Sequence, residues 1–255
     1  HTFDALSDDR IKMVDSINCS LPLKWISHLA QGWQIKKDIS KMLLYRHQIL
    51  KHDLELLYQF PMEKQVIGIT GSSGLIGSAL TLLLTVAGHT VKRIVRKKRP
   101  DWSYEICWDP EVGFLDDYSE LTALVHLAGE SVASPIRWTD QKKNKIYRSR
   151  IRSTQALVQQ LRQEKHNIKT FICASGTGYY PSSSQIMTEE SNPGSEFLST
   201  VTQDWETECN PIRDSIRTCN ARFGAVLHSK GGMIGRLKHL MNIGALGPIG
   251  KGDQF

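Results

Sequence analysis

Two hydrophobic rhythms divide the sequence. Between Lys24 and Phe60 apolar residues return every three or four positions, Leu43, Leu44, Ile49, Leu50, Leu54 and Leu57 among them, which is the spacing of one buried helix face. Gly32 lies early in that stretch and weakens the helical pattern there. Ahead of it, "RIKMVDSINCSLPL" alternates apolar and polar residues as a half-buried strand does. Pro61 and the short "MEKQ" then break the pattern, so residues 1–63 are expected to form a strand-plus-long-helix fragment separate from 64–255.

From Gln65 the rhythm shortens. Apolar runs at 65–70, 90–95, 104–108, 123–129, 168–175 and 216–223 predict strands. Stretches at 75–87, 139–164 and 197–209 predict helices between most of them. Short buried strands alternating with helices predict an α/β fold, a doubly wound parallel sheet with helices on both faces.

Composition fits a globular chain: 255 residues with 40% hydrophobic content can bury a large core. The longest apolar run, "ALTLLLTVAG", is too short to cross a bilayer, so no membrane partner is expected. The net charge of +6 comes largely from two short clusters, "KRIVRKKR" and "KKNKIYRSRIR", which is a weak case for nucleic acid, and none is expected. Five scattered cysteines with no CxxC pair argue against a disulfide framework or a zinc site and point to a reducing cytoplasm. The nine histidines show no metal-ligand spacing.

Chemistry first shows in "ITGSSGLIGSAL", residues 69–80. Three glycines spaced GxxGxxG follow a strand and open a helix, where backbone N–H groups and the helix N-terminus meet a pyrophosphate. Gly71 allows the turn, Gly74 lets phosphates reach the backbone, and Gly77 lets the helix pack on the strand; Ser73, Leu75 and Ile76 complete the loop. About twenty residues on, NAD sites carry an acid for the ribose. Here Arg96 and Lys97 stand in its place, with no acid before Asp101, which favours NADP. A solvated basic turn is the bland alternative. "HLAGES" ends the fourth strand of this segment with small residues, Ala128 and Gly129, at the edge where such sheets bind ligands.

With these come "VHLAGESV", "RWT" before "SRIRST", "ASGTGYY", "DWE", "RFGAVL" followed by "GG", and "GPIGKGDQF", in order over residues 65–255. The set resembles the extended short-chain dehydrogenase/reductase superfamily, and within it the atypical epimerase-like group. That resemblance implies an NADP-binding Rossmann domain acting on a small-molecule substrate, with Arg96, Leu127, Ala128 and Arg150 as cofactor contacts. It also implies a substrate domain continuing past residue 255, so the chain is expected to be a piece cut at both ends.

The superfamily's usual chemistry uses a Tyr and a Lys four residues later. No tyrosine here has a lysine at that place; "FLSTVTQDWE", aligned on Glu206, puts Leu198 and Thr202 there instead. The remaining catalytic candidates are Ser175, where a hydroxyl would orient a substrate, and Tyr179 and Tyr180 just after it. Either the tyrosines line the substrate site or they pack beneath a loop. A non-catalytic NADP-binding sensor or scaffold is the rival to an oxidoreductase. At the N-terminus, "HTF", "LPL" and "YRHQILKHDL" resemble the closing strands and last helix of a START-like helix-grip domain.

Overall fold

The computed structural model describes residues 1–7, 10–18, 32–61, 63–100, 102–132, 138–163, 165–228, 231–244 and 247. Asp101, "LPL" at 21–23, Arg137 of "RWT" and all of "GPIGKGDQF" except Gly247 lie outside the described residues. The chain divides into two compact units, His1–Pro61 and Met62–Phe255.

In the first unit β1 (Thr2–Ser7) and β2 (Arg10–Val14) form an antiparallel hairpin, followed by the 28-residue helix α1 (Gly32–Gln59). The expected helix is described from Gly32 onward; the early part, 24–31, where Gly32 was expected to interrupt it, lies outside the described residues. The expected strand is shorter than its alternating pattern, since 15–18 are irregular. The Asp15 carboxylate, almost fully enclosed, is shared by His1, Arg46 and His47.

The second unit holds β3 (Val66–Thr70), α2 (Leu75–Val86), β4 (Thr90–Val95), β5 (Glu105–Asp109), β6 (Phe114–Leu115), β7 (Ala123–His126), α3 (Asp140–Gln163), β8 (Thr170–Gly176), α4 (Phe197–Thr207), β9 (Arg217–Phe223), β10 (Leu227–His228) and α5 (Gly232–Asn242). Seven strands form one sheet in the order β6-β5-β4-β3-β7-β8-β9. All neighbours are parallel except β5 and β6, an antiparallel edge that period-based reading passes over because two residues carry no period. Leaving β6 aside, the order is third, second, first, fourth, fifth, sixth, that of a Rossmann-type doubly wound sheet. The chain reverses direction across the sheet between β3 and β7, so a crevice opens there at the carboxyl ends of the strands.

Consecutive strand residues feed opposite faces. Leu124, Phe171 and Cys173 join Ile146 and Leu157 of α3 and Val201 and Trp205 of α4 in one large core. Ile67, Ile69 and Val125 pack with Leu80 and Leu84 of α2 in a much smaller one. Among the described residues no helix joins β4 to β5 or β5 to β7. None of the described helices is long and apolar enough to cross a membrane.

Candidate functional site

The glycine loop turns from β3 into α2 by close backbone packing. Gly71 has φ +66°, and a Cβ there would sit 2.8 Å from the Leu127 carbonyl carbon and 2.9 Å from Ala128 N, so the loop presses directly on the end of β7. A Cβ on Gly77 would lie 2.3 Å from Gly71 O, which locks the first turn of α2 against the loop. Gly74 N donates to Gly71 O at 2.9 Å, and a Cβ on Gly74 would meet only that oxygen, at 3.2 Å. No side chain caps α2 and no acid stands in its first turn. Its leading N–H groups have no acceptor within the helix, which leaves a site suited to an anion.

Ser72 and Ser73 part company. Ser72 is buried, 3% exposed, and its hydroxyl receives Arg93 Nε at 3.3 Å, whereas Ser73 is exposed on the loop. Arg93 and Arg99 both turn to the buried Glu105, whose carboxyl is held below its usual range chiefly by hydrogen bonds from Arg99. Lys92 pairs with Glu120. Among the described residues no acid pairs with Arg96 or Lys97, which project at the carboxyl end of β4 beside the loop. The basic cluster is therefore divided: Lys92, Arg93 and Arg99 are partnered within the fold, and Arg96 and Lys97, like Lys98, are exposed with no acid beside them among the described residues.

On the other side of the loop, Thr70 and His126 hold the end of β7. Thr70 Oγ1 accepts Leu127 N–H at 3.0 Å and Ala128 N–H at 3.2 Å, and lies 2.8 Å from His126 Nδ1. A hydroxyl that accepts twice has its one hydrogen left for the imidazole, so Nδ1 is the acceptor and Nε2 carries the proton. Burial pushes His126 down to about 4, so the ring is neutral at pH 7. Beyond Ala128, the Arg150 guanidinium lies 3.3 Å from where a Cβ of Gly129 would stand. Its Nη1 donates to Glu130 O and Ile146 O, at 2.9 and 3.1 Å.

The ends of β8 and β9 carry a chain of side-chain hydrogen bonds. Ser175 Oγ donates to Glu206 Oε1 at 2.6 Å. Arg222 meets the same carboxylate with two nitrogens, Nε to Oε1 and Nη2 to Oε2, both at 2.8 Å. Its Nη1 donates to Tyr180 Oη at 2.8 Å, and its guanidinium carbon lies 3.5 Å from the Tyr179 ring centre. Thr202 is buried, with its hydroxyl turned back to Leu198 O at 2.9 Å.

Every sequence-selected residue except Arg150, which reaches up from α3, thus lies on or just past the carboxyl edge of the sheet. The row runs from β4 through β3 and β7 to β8. Residues 67–203, more than half of the chain, match the NAD dependent epimerase/dehydratase family. The chain belongs to that family.

Among curated members, the epimerase family protein Mb2239 of Mycobacterium bovis is 38% identical over 198 residues, covering 76% of this chain and 64% of that protein. The human epimerase family protein SDR39U1 is 33% identical over 190 residues, covering 73% and 63%. The chain therefore spans a little under two thirds of these relatives. Of solved family structures, the nucleoside-diphosphate sugar epimerase from Corynebacterium glutamicum superposes with TM-score 0.69 at 35% identity, over 83% of this chain and 45% of that one. The human SDR39U1 isoform 2, crystallised with NADPH, gives 0.67 at 32% identity, over 74% and 64%.

Along this edge, Thr70, His126, Arg93, Glu206 and Arg222 escape the sequence reading. Four of them sit inside quoted stretches, "ITG", "VHLAGESV", "DWE" and "RFGAVL", and Arg93 sits in the basic run. Their partners lie 12 to 58 residues away, in contacts made only when strands and helices meet in the fold. A buried-polar residue next to a glycine turn was the available signal.

Proposed function

We propose that the chain is an NADP-binding, epimerase-like oxidoreductase acting on a small molecule. The observation that carries this is the pairing of an uncapped α2 N-terminus with an exposed Arg96 on the adjacent strand end, which no acid among the described residues pairs with. The first suits a pyrophosphate and the second a ribose 2′-phosphate. Gly71, Ser73, Gly74, Leu75, Ile76 and Gly77 would hold the pyrophosphate, Arg96 and Lys97 the 2′-phosphate, and Leu127, Ala128, Gly129 and Arg150 the middle of the cofactor. The NADPH named with the human relative supports this assignment. Bound there, the nicotinamide would supply or take a hydride; Ser175, Tyr179 and Tyr180 line the reaction end.

A second reading, a sensor or scaffold that binds NADP without turnover, is favoured by one observation: Leu198 and Thr202 occupy the Tyr and Lys places, and the Thr202 hydroxyl is committed to its own helix. Free Cys107, Cys173, Cys209 and Cys219 support a cytoplasmic setting. The hairpin and long helix of the first unit support a START-like tail ahead of the Rossmann domain.

Fluorescence titration of the chain with NADPH and NADH tests the cofactor assignment. NADPH is expected to bind at least tenfold tighter. Equal affinities would remove the role given to Arg96, and no binding of either would remove the function.

A further inference from the structure

Of the two hydroxyls in the hydrogen-bond network at the ends of β8 and β9, one has a proton to give among the described residues. Ser175 directs its single hydrogen to Glu206, so toward any other group its oxygen acts as an acceptor. A guanidinium has no lone pair to offer, so at the 2.8 Å contact with Arg222 Nη1 the Tyr180 oxygen accepts, and no acceptor among the described residues takes its own hydrogen. Arg222 is fixed from three sides: the Glu206 carboxylate takes two of its nitrogens, the Glu189 carbonyl receives Nη1 at 3.3 Å, and the Tyr179 ring lies against its plane. Hydrogen bonding to Glu206 holds Arg222 above its ordinary range, so it remains a cation at every working pH. The two tyrosines therefore differ in kind. Tyr179 is a platform under the cation, and Tyr180 presents a hydroxyl beside it.

We propose that Tyr180 is the acid and base of this site, with Arg222 of β9 as its cation in place of a lysine on the tyrosine's own helix. The proposal rests on the NADPH reading above. In reduction, hydride from NADPH forms the new bond to a carbonyl carbon as the C=O π pair moves onto oxygen. That oxygen takes the Tyr180 proton, leaving phenolate next to the Arg222 charge, with NADP+ as the oxidised product. Water reprotonates Tyr180, which is half-buried and within its reach. In the reverse direction the phenolate takes the carbinol proton while hydride leaves carbon for NADP+. Ser175, whose hydrogen is tied to Glu206, donates nothing to the substrate oxygen, which leaves the proton transfer to Tyr180.

The test uses the full chain with phenanthrenequinone as hydride acceptor, following loss of NADPH absorbance, with NADPH affinity and melting temperature measured on every variant. Tyr180→Phe is expected to slow quinone reduction about a hundredfold while NADPH affinity stays within about twofold. Arg222→Lys should keep about a tenth of the rate or more, and Arg222→Met should fall to the Tyr180→Phe level. With NADP+ in place of NADPH, the bound quinone's carbonyl stretch should shift to lower frequency in the wild type but not in Tyr180→Phe. Since Tyr180→Phe removes a single oxygen from a half-buried ring, it keeps the test alive if Arg222→Met fails to fold. Wild-type protein that binds no NADPH would sink the cofactor reading and the proposal with it. Wild-type protein that binds NADPH but reduces no quinone, or a Tyr180→Phe variant within about threefold of it, would overturn the proposal alone.

Discussion

The two halves of the sheet's carboxyl edge are built from different materials. Around β4, β3 and β7 the cradle is backbone: glycines packed on carbonyls at distances that exclude a methyl group, with N–H groups turned outward. Around β8 and β9 it is side chains, a serine, a glutamate, an arginine and two tyrosines held by one another. A backbone cradle depends on local residue type and tolerates little change. A side-chain network depends on elements meeting, and can be rebuilt from other residues so long as the charges still pair.

The sharpest way to break that contrast is Gly77→Ala. Its Cβ would overlap Gly71 O at 2.3 Å, so loop and helix must separate. NADPH affinity should fall several hundredfold, roughly 3 to 4 kcal/mol. A variant that binds normally would show the cradle to be adaptable.

His126 tests the seam between the halves. Its folded pKa of about 4 lies below the usual 6.5, so the unfolded chain binds more protons between those values. Stability from this group is fully present above pH 6.5 and is lost as pH falls toward 4, on the order of 3 kcal/mol. Denaturant melts across that window should show the decline in the wild type, and a flatter profile in His126→Gln.

Glu206→Ala should cost about 2 kcal/mol by leaving the mostly enclosed Arg222 without its counter-charge, and should free the Ser175 hydroxyl. NADPH affinity of the folded fraction should change less than threefold. A large loss of affinity would mean that the two halves are one energetic unit.

The smallest effect is expected at the exposed rim. Arg96→Ala removes one charge-assisted phosphate contact, roughly 1.5 kcal/mol, so NADPH should weaken about tenfold and NADH hardly at all. Isothermal titration with both cofactors measures the difference.

This division also marks what could be read from sequence. Strand and helix positions of the α/β unit were legible because buried parallel strands are uninterrupted apolar runs, such as "VIGIT". The glycine loop was legible because its function needs glycine at fixed spacing within a dozen residues. Tyr180 could be named, but not its cation. Arg222 lies 42 residues further on and reaches it only because β9 pairs with β8 in register, Ser175 opposite Arg222. Nor does sequence show that the Ser175 hydrogen is already spent on Glu206, since that requires α4 to cross behind β8.

The central position of β3 has a consequence for how the unit is assembled as it leaves the ribosome. The first strand made is the middle one, and later strands are laid down outward from it, β4 and β5 on one flank and then β7, β8 and β9 on the other. By the time α3 has been synthesised, every residue assigned to the dinucleotide is in place, Arg150 being the last. Tyr180 emerges some forty residues before Arg222, and until β9 docks it has no charge beside it. On the proposed assignments, a nascent chain with its dinucleotide residues in place therefore precedes one with Tyr180 and Arg222 paired, and early cofactor capture would steady the half-built sheet by mass action.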